Sequence, residues 1–304
     1  MITAGAGLAT RLATDRHWLL ERLEGAVRHA RRRSDPEAVH DVRVTTRQLE
    51  AALDLWRSIL PPRRRQRVRR TLRRLRRALA PAREVRICLG LLDQRFGALD
   101  PEARVAAARL QDLLQRRLER LDGRAARRCA RSDMERLRGR FERTWEATAS
   151  VLGFGTAALE AARARLEVRR ARARAALRAA VQDTADERLH AARLAVKRWR
   201  YLLERFAAAE PDVDRSEQRW LKSVQDALGR IQDLAVLRER ITRMCPPGAP
   251  PEATPSSGTL RSLVTGIDEE RAERVREFGR LAAAAAHGAP HGPEVRLAPP
   301  WREA

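Results

Sequence analysis

The sequence predicts an all-α protein built as a duplicated helical bundle. Three observations carry this reading. Helical periodicity runs through almost every segment, in a chain dominated by Ala, Leu, Arg and Glu and only 4% aromatic, so good helix formers prevail and strand formers are sparse. The stretch His40-Asp41-Val42-Arg43-Val44-Thr45-Thr46-Arg47 recurs as His190-Ala191-Ala192-Arg193-Leu194-Ala195-Val196-Lys197, every match at an offset of 150. A second element follows in the same order at an offset of 149: Leu72 to Glu84 aligns with Leu221 to Asp233. Two elements repeated in order, one residue apart in offset, are the mark of a duplication with a single indel.

The elements follow in turn. A first helix spans about 8–32, with Leu12, Leu19, Leu23 and Val27 as its apolar stripe. Ser34-Asp35-Pro36-Glu37 supplies a cap, a first-turn Pro and an early acid. The second helix carries the first motif and ends before Pro61-Pro62. Residues 63–96 form a third stretch, with ten arginines within 63–77 and a kink expected at Pro81. Pro101 opens a long helix to about 131, with a break expected at Gly123, and a short helix leads to about 150. Val151-Leu152-Gly153-Phe154-Gly155 is the expected junction between a first repeat, 8–150, and a second, 156–286. The second repeat holds helices over 156–182, 187–209, 216–244 and 260–286. Residues 246–258, rich in Pro, Gly and Ser, are expected to be a flexible loop, and 287–304 a loosely ordered tail.

The formal net charge is +23, and all but two of the basic residues are Arg, the exceptions being Lys197 and Lys222. Such a balance predicts an acidic partner: nucleic acid, an anionic membrane surface or a soluble polyanion. Ala- and Arg-heavy usage also follows from genomic base composition, so position says more than total. Cys88, Cys129 and Cys245 fit neither a disulfide framework nor a zinc pattern. No signal-length or membrane-length apolar run stands out, and a cytoplasmic setting is expected.

At about 100° per residue, His40, Arg43 and Arg47 fall on one helical stripe. His190, Arg193, Lys197, Arg200 and Tyr201 do the same in the second copy. Seven positions span about 10.5 Å of axis, a rail of cationic donors rather than one pocket. Val39, Val42, Leu49, Leu53 and Trp56, with Leu189, Leu194 and Leu202, form the apolar faces. Asp54 and Glu204 lie near the same stripes and are placed to hold guanidinium groups. On the next helices Lys222, Gln225, Gly229 and Asp233 share a face, as do Arg73, Arg76, Ala80 and Glu84. If those faces meet across the duplication axis they enclose a basic cleft. Arg suits that task because its planar fork grips phosphate oxygens at two points. A charge stripe is more often a solvated face, so the 63–77 run alone decides nothing. His17 and His29 have no counterpart in the second repeat, His287 and His291 lie in the tail, and none of the four receives a role.

No phosphate loop, dinucleotide fingerprint, zinc pair or nucleophile elbow occurs, and no cofactor, metal or catalytic residue is assigned. One Tyr and five scattered Phe offer no stacking platform for single strands.

At these residues the chain resembles the CHAD family, the conserved histidine α-helical domain. The likeness rests on Val39 to Arg47, on Leu189-His190, Arg193, Lys197 to Tyr201 and Glu204, on Ala78-Leu79 with Ala82 to Val85, and on Leu221-Lys222 with Gln225 to Leu234. It covers about 8–285. Gln48, Ala80 and Glu84 depart from the family pattern. The resemblance implies two bundles about a pseudo-twofold axis, a basic central groove, and binding of inorganic polyphosphate, often on polyphosphate granules. The residues expected to bind are His40, Arg43, Arg47, Arg73, Arg76 and Arg83 in the first half. In the second they are His190, Arg193, Lys197, Arg200, Tyr201, Lys222 and Arg230. The competing expectations are a nucleic-acid or scaffold protein using the same surface and a phosphohydrolase accessory.

Overall fold

A computed structural model describes residues 2–32, 35–97, 99–146, 155–210, 216–244 and 257–286. The described residues form ten helices: α1 Ile2–Arg32, α2 Pro36–Leu55, α3 Pro62–Ala78, α4 Ala80–Phe96, α5 Pro101–Ala130, α6 Met134–Glu146, α7 Gly155–Gln182, α8 Asp186–Ala209, α9 Ser216–Met244 and α10 Ser257–Ala286. The expected junction at 151–155, the loop at 246–258 and the tail at 287–304 lie almost wholly outside the described residues.

Local chemistry sets the starts. Asp35 caps α2 by accepting from the Glu37 backbone N–H at 2.9 Å, with Pro36 in the first turn. Asp100 caps α5 by accepting from the Ala103 N–H at 2.7 Å, ahead of Pro101. Each satisfies a donor that the helix itself leaves free. Pro81 lacks an N–H and clashes with the preceding turn. The chain accordingly ends α3 at Ala78, passes through Leu79, and starts α4 with Pro81 in its first turn. Gly123, expected to break its helix, does not. The Arg127 guanidinium occupies the space beside it, 3.5 Å from where a Cβ would stand, and Leu118, Ala125 and Cys129 bury the same helix on both sides of it. Glycine costs a helix interior about 1 kcal/mol, less than such burial returns at about 1.5–3 kcal/mol for a large side chain.

The packing repeats as the sequence does. α1 packs on α2 as α7 packs on α8; α2 meets α3 as α8 meets α9; α4 meets α5 as α9 meets α10. Across the molecule α2 packs on α8, α1 on α7, α4 on α9 and α5 on α10. These contacts pair equivalent helices, as duplication requires, while α6 has no counterpart. Two hydrophobic cores result. One gathers α1, α2, α3, α7, α8 and the first half of α9 around Trp56, Trp199 and Phe206. The other joins α4, α5, the second half of α9 and α10 through Leu92, Leu110, Leu234 and Ile267. Each draws helices from both halves of the chain.

Below the α2–α8 contact the interior is tied by a buried ion pair. Arg170 Nη2 of α7 meets Glu217 Oε1 of α9 at 2.9 Å, with Glu217 only 2% exposed. The same guanidinium lies 5.9 Å from the Trp199 ring, which packs edge-on against Trp220. Burial drives the Glu217 carboxyl up to about 7 although Arg170 and Arg174 pull the other way.

Candidate functional site

The α2–α8 contact brings the two repeated stripes together. Each stripe is polar on one side and apolar on the other. Burying Val39, Val42, Leu49 and Leu53 of α2 and Leu189, Val196 and Leu202 of α8 therefore leaves the basic sides adjoining. Arg83, from the first turns of α4, and Asp233, from α9, close the group. The reach of these charges is mutual: Arg47 and Arg83 of the first half disfavour the charged forms of both Arg193 and Lys197 of the second.

The energetics of this group are those of cations taken out of water without enough carboxylates. Arg43 is 8% exposed, and its Nη1 donates to the Arg76 carbonyl O at 3.1 Å, which also accepts the Leu79 N–H at 3.3 Å at the end of α3. Burial first, then Arg47, Arg83 and Arg76, lower its pKa to about 9 against the pull of Glu84, which still leaves it charged at neutral pH. Arg193 is lowered too, by burial ahead of Arg83 and Arg47, with Asp233 opposing; its buried Nε has no acceptor. Lys197 falls to about 6, through burial, then Arg193, Arg47 and Arg83. Asp233 moves upward because burial outweighs Arg83, Arg193, Lys197 and Arg230. His40 is lowered by burial, then by Arg83, Arg43 and Arg47, with Asp41 opposing. An ammonium or imidazole in such a place holds a proton poorly until an anion arrives.

Beside this group lies a recess of about 290 Å³, walled by α2, α3, α7 and α8. Arg47, Arg69, Arg73, Arg76, Arg169, Arg198 and Lys197 line it, against only Glu50 and Asp54. Glu50 takes Arg76 Nη1 at 2.5 Å and Arg73 Nε at 3.3 Å. Asp54 takes Arg165 at 2.6 Å and Arg169 at 2.7 Å, both from α7. Arg47, Arg69, Arg198 and Lys197 have no hydrogen bond or ion pair among the described residues. Two larger clefts differ in charge balance. In the one of about 1120 Å³, Arg238, Arg243 and Arg271 are matched one to one by Asp268, Glu239 and Asp186. The one of about 560 Å³ sets Arg117, Arg120, Arg240 and Arg243 against Glu84 and Glu239 beside a wall of Leu110, Leu113 and Leu114, with Arg240 on Glu84 and Arg243 on Glu239.

The predicted residues therefore divide. Arg83, Arg193 and Lys197 act on Asp233, and His40, Arg43 and Arg47 join the same group through Arg83. Arg73, Arg76 and Tyr201 line the recess with Arg47 and Lys197. Arg200 is clamped by Glu204 and by Gln225, its Nε donating to Gln225 Oε1 at 3.0 Å, and lies over the Tyr201 ring at 4.5 Å. His190 is exposed and its Nδ1 meets Gln232 Oε1 at 2.8 Å. Arg230 turns toward α10 and α4, donating to Glu270 at 2.7 Å and Gln94 at 3.0 Å. Lys222 is exposed. Leu194, expected on the apolar face, is instead 37% exposed and lies in the recess wall. The 63–77 run faces both ways: Arg69, Arg73 and Arg76 reach the recess, while Arg63, Arg64, Arg67, Arg70, Arg74 and Arg77 are exposed. Arg69, Arg169 and Arg198 went unread in the sequence. Arg198 adjoins Lys197 within the motif, whereas Arg169 sits in an unpatterned Ala/Arg run that offers no signal.

Among the described residues no group of three or more His, Cys, Asp or Glu is placed to hold a metal ion. No helix there is long and apolar enough to cross a membrane.

The comparisons agree with this architecture. The CHAD domain family profile matches residues 16–242. Among solved structures, PptA from Streptomyces chartreusis superposes with a TM-score of 0.62 at 24% identity, covering 92% of this chain and 98% of that one. The crystal structure of the CHAD domain from the plant Ricinus communis gives 0.58 at 20% identity, covering 92% and 91%. No curated protein matches. With the family profile spanning both copies of the repeated motif, and the fold shared over nearly the whole chain, this protein belongs to the CHAD domain family.

Proposed function

We propose that the protein binds inorganic polyphosphate in the basic groove formed by α2 and α8, with α3, α4 and α9 at its sides, and that it does so without turning it over. The observation that carries this reading is the surplus of unpaired cations at the contact between the repeats. Seven basic side chains, four of them without partners among the described residues, share the recess with two carboxylates, and Arg43 and Arg193 are buried beside it. Buried cations without counterions are costly, and a polyanion with evenly spaced phosphates offsets that cost along the whole stripe. His40, Arg43, Arg47, Arg73, Arg76, Arg83, Arg193 and Lys197 would contact the chain. His190, Arg200, Tyr201 and Lys222 would extend the path along α8 and α9, with Arg230 set further aside. The carboxylates near the groove support binding rather than hydrolysis, because Glu50, Asp54 and Glu204 are each held by arginines instead of converging on one point. Residence in the cytoplasm, on polyphosphate granules, fits this role.

The exposed arginines of α3 favour a second reading, a nucleic-acid or scaffold surface. One titration separates the two. Long-chain polyphosphate should bind more tightly than DNA or RNA of equal charge at the same salt, and log K should fall linearly with log salt as counterions are released. Equal or tighter binding of nucleic acid overturns the polyphosphate assignment.

A further inference from the structure

We propose that Lys197 is an acylation site whose donor is a small acyl phosphate, docked by its phosphate on the arginines of the recess. The inference starts from an amine with no partner. Lys197 lines the recess and has no hydrogen bond or ion pair among the described residues. The nearest carboxylate influence, Asp233, is opposed by Arg193 on the same helix, Arg47 on α2 and Arg83 on α4. An ordinary lysine, with a pKa of about 10.4, is almost wholly protonated at neutral pH and is a poor nucleophile. Held at about 6 by burial and these arginines, the Lys197 amine keeps its lone pair at neutral pH, as activated catalytic lysines do.

The same surroundings select the reagent. Arg47, Arg69 and Arg198 of the recess carry guanidinium groups without hydrogen-bonding partners, and the buried Nε of Arg69 has no acceptor. Such a set receives a phosphate dianion and stabilises it as a leaving group. The Nζ lone pair attacks the carbonyl carbon of the acyl phosphate. The carbon–oxygen bond to phosphate breaks with its electron pair, and the departing phosphate takes the proton that the amine gives up. An amide and inorganic phosphate result, with no change of oxidation state. The amide cannot take up a proton, so the modification denies the site the ammonium that a bound anion would otherwise recruit there and ties its anion capacity to the supply of acyl phosphates.

The chain provides its own control, because Lys222 is its one other lysine and is exposed. Purified protein is treated with acetyl phosphate near neutral pH, and the acetyl group is located by peptide mass spectrometry. Lys197 should react at least about tenfold faster than Lys222, with inorganic phosphate slowing Lys197 selectively. Acetic anhydride, which has no phosphate to dock, should show a smaller preference for Lys197. Reaction at Lys222 as fast as at Lys197 overturns the proposal, and an equal preference with both reagents overturns the docking on the arginines. Neither outcome depends on long-chain binding. Acetylation at Lys197 in a protein that fails the polyphosphate titration would uphold this site and remove the function proposed above.

Discussion

The two copies of the repeated motif share a backbone plan and differ in the chemistry they present. In the first, His40, Arg43 and Arg47 are followed by Arg83 and by an exposed Glu84 that reaches Arg240 at 3.4 Å. Two of its outer arginines, Arg73 and Arg76, are braced by Glu50. In the second, Lys197 stands where the first has Arg47, and Asp233, half-buried, stands where the first has Glu84. Guanidinium groups stay charged at any physiological pH, whereas an ammonium or carboxyl in this setting titrates. Burial lowers the Lys197 amine to about 6 and raises the Asp233 carboxyl. At this paired position duplication has thus set a fixed charge, Arg47, against a titrating one, Lys197, across the α2–α8 contact.

The sharpest way to break that contrast is to remove Arg47 and Lys197 in turn. A hydrogen bond to a charged group is worth about 1.5–3 kcal/mol, so each loss weakens binding about tenfold to a hundredfold at 1.4 kcal/mol per decade. Arg47→Gln should cost the same at pH 6 and pH 8. Lys197→Gln should cost less at pH 8, where the wild-type amine must first gain a proton. Polyphosphate titrations of both variants at the two pH values measure this, and matching pH dependence in the two would mean that the halves are equivalent. The double variant should show the largest loss.

Much of this contrast was legible in the sequence because the duplicated polar residues fall at helical period on helices whose opposite faces are apolar. His40, Arg43 and Arg47 share one stripe on any regular helix, and so do their counterparts, whatever the tertiary fold. An interruption near Pro81 was legible as well, since Pro cannot continue a helix without loss, but as a kink within one stretch rather than the separation into α3 and α4 after Ala78. Pairings decided at long range were not. Asp54 was expected to hold guanidinium groups, and it does, but they belong to Arg165 and Arg169, more than a hundred positions away. Among 63 basic residues no local pattern distinguishes Arg69 and Arg169, which line the recess, from those that face solvent. Arg230 is drawn toward Glu270 by a helix packing that periodicity cannot place. Leu194 matched the apolar pattern of α8 but falls where the recess opens, so packing leaves it partly uncovered.

A finer test isolates the titrating amine. Above about pH 6 the Lys197 amine of the empty groove is neutral, while a bound polyanion favours the ammonium form. Binding therefore takes up protons between about 6 and the higher pKa of the complex. Across that interval affinity falls as pH rises; below it, with the amine already protonated, the Lys197 contribution is level. Lys197→Arg should flatten this part of the profile while preserving the charge. Calorimetry in two buffers of different ionisation heat should detect proton uptake in the wild type and less in the variant. Equal uptake in both would place the titrating group elsewhere.

The smallest expected effect separates the two histidines. His40 sits among Arg83, Arg43 and Arg47, and burial together with these charges lowers its pKa below the ordinary histidine range. A phosphate at that spot reverses the balance, so His40 gains a proton on binding and contributes most when pH falls toward that lowered value. His190 is exposed as His40 is, but its Nδ1 is already engaged with Gln232 Oε1 at 2.8 Å. His40→Gln should reduce the gain in affinity seen on acidification by a few-fold, about 1 kcal/mol on the scale of a single net hydrogen bond. His190→Gln should cost less, because glutamine can still meet Gln232. Polyphosphate titrations from pH 7 down to pH 5 compare the two. A larger loss at His190 would shift the centre of the site from the crowded α2–α4 corner to the open end of α8.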